Sequence, residues 1–74
     1  KSKIVVINDR VIQAPIITPL VMNVAYYCVD FDSFSFANTD VWTDSDIDRM
    51  RLKRGLIHLS RFDAEAMAKA LLNY

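Results

Sequence analysis

The segment Lys3–Ile7 is rich in β-branched apolar residues, and Val11–Ala14 takes up that character again after Asn8-Asp9, a pair that tolerates positive φ. Residues 3–14 therefore read as a hairpin. Pro15 and Pro19 bracket Ile16–Leu20, which cannot be a central strand throughout, so this segment reads as an extended connection or an edge. Val21–Phe31 carries no charge before Asp30 and reads as the central strand. Asp32-Ser33 follows as a turn. Phe34, Phe36 and Val41-Trp42 suggest a further strand, with a bulge or turn at the polar Asn38-Thr39-Asp40.

Helical signals then take over. Thr43-Asp44-Ser45 opens a short helix near 45–54, with Asp46 and Asp48 in its first turn and Arg49, Arg51, Lys53 and Arg54 later. Gly55 stands at the C′ position, so charge order and terminator both agree with the helix dipole and C-cap rules. Ile47, Met50 and Leu52 are its expected inward residues. Leu56–Leu59 is an apolar run of strand length between Gly55 and Ser60. Ser60 is expected to cap a second helix, 61–72, by accepting from the backbone N–H of Asp63. Ala64, Met67, Ala68, Leu71 and Leu72 form its expected buried stripe, and Glu65 and Lys69 pair on the outside. The pattern predicts one α+β domain over residues 1–74: a small antiparallel sheet of about 4–5 strands, with the C-terminal helix packed on one face.

Composition sharpens this picture. The chain has 74 residues and is 53% hydrophobic, more apolar side chain than so small an interior readily holds. Part of it is expected to be shared with another chain, and the simplest expectation is a two-fold dimer. Net charge is zero, which removes any global electrostatic argument for nucleic acid or an anionic membrane. One cysteine, Cys28, and one histidine, His58, exclude an internal disulfide and make a tetrahedral zinc site very poorly supplied. The uncharged stretch between Arg10 and Asp30 nears membrane-spanning length, but Gln13, Pro15, Pro19 and Asn23 interrupt it, and no membrane segment is expected. No signal peptide is visible.

Few residues carry chemistry. Asp44-x-Asp46-x-Asp48 opens like a calcium loop, but Arg49 replaces the required glycine and Gly55 the bidentate glutamate. Cys28 lies in an apolar strand without a base nearby, and His58 reads as a satisfied core or edge histidine. No nucleophile–base or acid–base pair is visible, so no catalytic residue, metal or cofactor is expected. The candidate interaction surface comprises Arg49, Arg51, Lys53 and Arg54 with the aromatics Tyr26, Tyr27 and Trp42. The basic residues are spaced around a helix rather than along one face, and the aromatic region carries acids instead of interleaved bases. Protein contact is therefore favoured over nucleic-acid contact.

Several pieces of the chain together resemble small uncharacterised proteins of tailed bacteriophages and prophages. They are Ala14-Pro15-Ile16 with Pro19, Tyr26-Tyr27 with Asp30, and Trp42 with Asp44, Asp46, Leu52 and Gly55. The closing Gly55-Leu56-Ile57-His58-Leu59-Ser60, followed by Asp63-Ala64 and Ala68-Lys69-Ala70-Leu71-Leu72, is the most specific. Val24-Ala25 replaces a usual glycine, and Met67 replaces a usual histidine. The resemblance implies a phage setting and a compact α+β fold, and it carries over no functional residue. The resulting expectation is a non-enzymatic phage or prophage protein in the bacterial host cytoplasm. It would bind a host or phage protein, for example to inhibit a defence or replication component. The alternatives are a nucleic-acid accessory protein using residues 49–54 and a virion or assembly component.

Overall fold

The computed structural model describes residues 3–73. The expected α+β class holds, and its five strands divide into two antiparallel sheets. Strands β1 (Ile4–Ile7) and β2 (Arg10–Gln13) form the first, with Val6 opposite Val11 and Ile7 opposite Arg10. Asn8 and Asp9 both take positive φ, 51° and 66°, as a two-residue hairpin turn requires. In the second sheet, β3 (Ala25–Val29) lies between β4 (Ala37–Val41) and the two-residue β5 (Ile57–His58).

The expected central strand is present but shorter than Val21–Phe31. Met22-Asn23 is a turn, with Asn23 at φ 71°. The expected interruption at Asn38-Thr39-Asp40 does not occur: these residues are the body of β4, and the turns lie at 31–36 instead. β4 is an edge strand, and past Ala37 its residues are exposed, so polar side chains cost nothing there.

The second sheet is covered on both faces. On one, Tyr26 and Cys28 pack with Trp42 and Ile57, under Ile16, Leu20 and Leu52. Tyr26 and Trp42 meet edge to face, with ring centroids 6.3 Å apart. On the other, Val29 joins Ile12, Met67, Ala68 and Ala70. The two helices are α1 (Asp46–Lys53) and α2 (Arg61–Leu72). α2 contacts β2 as well as β3, β4 and β5, so it bridges the two sheets.

α1 has the expected caps. Ser45 and Asp48 form a reciprocal capping box, and Gly55 follows the last turn at φ 73°. Its inward face differs from expectation. Ile47 and Met50 are exposed, Leu52 is half-buried, and the fully buried residue is Asp48, at 2% exposure. α2 begins and ends where the sequence places it, and Asn73 closes it in the left-handed conformation at φ 55°. The Ser60 side chain makes no cap bond, contrary to expectation. Leu71 and Leu72 are exposed, and Ala70 takes the place expected of them. With no side chain beyond Cβ at Ala64, Ala68 and Ala70, the helix backbone sits close to its neighbours.

Candidate functional site

The residues of the expected interaction surface do not form one surface. Tyr26 and Trp42 are buried in the core, which removes them from any contact with a partner. Tyr27 is half-buried beneath the Arg61 guanidinium, 5.3 Å from the ring centroid. Arg49 forms an exposed ion pair with Asp44 at 2.6 Å. Arg51 turns inward. Its Nη1 donates to Asp40 Oδ2 at 2.6 Å and to the Tyr26 hydroxyl at 2.9 Å. Lys53 and Arg54 are exposed at the end of α1. Two of the four basic side chains are thus engaged by carboxylates of the chain itself.

The buried end of this network is Asp48. Its Oδ1 accepts from the Tyr26 hydroxyl at 2.5 Å, and its Oδ2 accepts from Thr43 N–H at 2.8 Å and Ser45 N–H at 3.3 Å. Burial alone would raise this carboxyl, but the donors from Tyr26, Thr43 and Ser45 outweigh it and hold Asp48 well below the usual carboxylate range. Burial and the Asp48 carboxylate push the Tyr26 phenol up to about 12. Burial opposes the Arg51 charge, yet the bonds to Asp40 and Tyr26 keep it firmly protonated. These bonds tie α1 to β3 through Asp48 and Tyr26 and to β4 through Arg51 and Asp40.

His58 stands apart from its expected reading. Its exposure is 1%, and neither ring nitrogen has a partner. Burial lowers its pKa, with the Asp63 charge opposing. It borders an open cavity of about 400 Å³ whose wall includes Lys3, Gln13, Pro15, Leu59 and Asp63. Both nitrogens are sealed from that cavity. Cys28 is buried, and burial raises its thiol pKa, as expected of an unreactive thiol. Among the described residues, no group of three or more His, Cys, Asp or Glu side chains is placed to hold a metal, and no helix is long and apolar enough to cross a membrane.

A different surface is more open. Between β2 and α2 runs a groove of about 330 Å³, lined by Val11, Ile12, Phe62 and Ala66 and by the charged Arg10, Glu65 and Lys69. Phe62 is 75% exposed and Val11 66%. Beside Val11, Val6 and Ile4 extend the apolar strip across the outer face of the hairpin. The sequence holds a signal for this surface. Phe62, Glu65, Ala66 and Lys69 share one helical face, offset from the Ala64–Met67–Ala68 stripe, so Phe62 cannot belong to the same core contact. Likewise Ile4–Ile7 is apolar on both faces of its strand, which exceeds what one-sided burial needs. No family model matches this chain, and neither curated proteins nor solved structures give a match.

Proposed function

We propose that this chain is a non-enzymatic binding protein that holds another protein in the β2–α2 groove. The observation that carries the reading is Phe62, a large aromatic left 75% exposed in a groove that Val11, Ile12 and Ala66 line together with Arg10, Glu65 and Lys69. An apolar centre with a polar rim is the anatomy of a protein–protein contact, and exposed aromatics are the usual anchors. The matching partner presents an apolar side chain flanked by charges that answer Glu65 and Lys69. The resemblance to phage proteins supports reading this activity as one in an infected or lysogenic bacterium, with a host defence or replication protein as the partner class.

The test is differential capture from bacterial lysate, followed by calorimetry with the purified captured protein. Phe62→Ser and Val11→Asp are expected to weaken binding at least about tenfold, a loss of roughly 1.4 kcal/mol. The double variant Lys53→Glu/Arg54→Glu is expected to bind as the unaltered chain does. Equal binding by the groove variants overturns the reading. Tight, salt-sensitive binding of single- or double-stranded probes that is lost on reversing Lys53 and Arg54 would replace it with the nucleic-acid alternative.

A further inference from the structure

The hydrogen-bond pattern of the hairpin defines what its outer edge can do. Ala14 N–H donates to Lys3 C=O at 2.9 Å, on the same register as Val5 with Ile12 and Ile7 with Arg10. In an antiparallel ladder, bonded and non-bonded pairs alternate. Lys3, Val5 and Ile7 therefore spend their backbone groups on β2, and Ile4 and Val6 direct theirs away from it. β1 pairs with β2 alone, and no further backbone bond reaches Ile4 or Val6 among the described residues. Both residues are exposed.

This edge is short, but it lacks the other common protections along its length. Ile4-Val5-Val6-Ile7 contains no charge, proline or glycine, and no bulge interrupts its register. A two-stranded sheet is also marginal in isolation and gains from added strands. We propose that β1 is a homodimerisation edge, joined antiparallel to β1 of a second copy about a two-fold axis through Val5. In that register Ile4 of each copy faces Val6 of the other. The two pairs exchange four main-chain hydrogen bonds, and the two hairpins become one four-stranded sheet.

The second copy is favoured as occupant because the strand is its own complement. A two-fold axis through Val5 sets Ile4 against Val6 twice, apolar on apolar, and no charge lies between Ile4 and Ile7 to repel the symmetry mate. Ile4 and Val6 side chains then pack across the new junction, on the face where Val11 already stands. A contact this narrow falls short of the roughly 800 Å² per partner of a standard stable interface, so the association is weak and reversible.

Amide exchange followed by NMR against concentration tests this directly. In the monomer the Ile4 and Val6 amides exchange freely. Between about 20 µM and about 1 mM they are expected to slow at least about tenfold, while those of Val5 and Ile7 stay protected throughout. Sedimentation over the same range is expected to approach twice the chain mass. Val6→Pro removes an N–H that the hairpin does not use and is expected to remain monomeric. Should that variant unfold, exchange in the unaltered chain still decides. A single-chain mass at the highest concentration, or a dimer in which Ile4 and Val6 still exchange freely, overturns the proposal. Phe62→Ser is expected to dimerise normally, so failure of the groove reading and failure of this one are separable.

Discussion

The Tyr26 hydroxyl on β3 donates to the Asp48 carboxylate on α1 at 2.5 Å, and this contact sets how the short helix docks on the sheet. α1 has little apolar surface to bury, since Ile47 and Met50 face outward. A buried acid with four donors around it takes the place of a hydrophobic stripe. Asp48→Ala strands those donors and opens the capping box at once. A loss of about 3 kcal/mol is expected in urea unfolding, with Tyr26→Phe nearer 1 kcal/mol because the backbone donors to Asp48 survive. Asp48 is held below its unfolded value, so its contribution is complete above about pH 4 and fades as pH falls further.

His58 acts in a separate and higher window. Its folded pKa lies below the unfolded value, so on acidification the unfolded chain takes up the proton first. Stability is expected to decline as pH falls through about 6.5, well before Asp48 matters. His58→Leu removes an unpartnered buried imidazole and should flatten the decline that begins near about pH 6.5, leaving stability at pH 7 unchanged or higher. An unaltered slope in that variant would show that another group titrates there.

Arg51 and Arg49 are expected to differ sharply although both form ion pairs of 2.6 Å. Arg49 and Asp44 are widely exposed, and such pairs contribute little net stability. Arg49→Gln should leave the urea midpoint in place. Arg51 is largely covered and also donates to the Tyr26 hydroxyl, so Arg51→Gln should cost about 1 kcal/mol. Raising the salt concentration should not close the gap between the two variants.

Phe62 provides the converse case. Its ring is mostly in solvent, so Phe62→Ser should change stability by no more than about 0.5 kcal/mol while partner capture is lost. Equal losses of stability and capture would mean that the ring supports the fold instead.

The sequence carries the helices well because their signals are local. Ser45 with Asp48, Gly55, and the alanines of 64–70 each act within a turn or two, and α2 runs over the residues its periodicity indicates. The Asn8-Asp9 turn is legible for the same reason. What stayed hidden depends on distant neighbours. Asn38, Thr39 and Asp40 form a strand because β3 offers them a ladder, against their own turn preference. Asp48 reads as a solvated first-turn acid until Tyr26, from 22 residues away, closes over it. His58 shows no sequence sign of lacking a partner. Tyr26 and Trp42 are ordinary core aromatics, and only the tertiary packing separates them from Phe31, Phe34 and Phe62, the aromatics left exposed.

Because α2 bridges the hairpin and the three-stranded sheet, order of synthesis matters for this chain. Both sheets leave the ribosome before their shared buttress does, and the apolar faces that α2 covers stay bare for the whole interval. Nascent chains crowded on one message are therefore most prone to pair wrongly in the moments before residues 61–72 emerge.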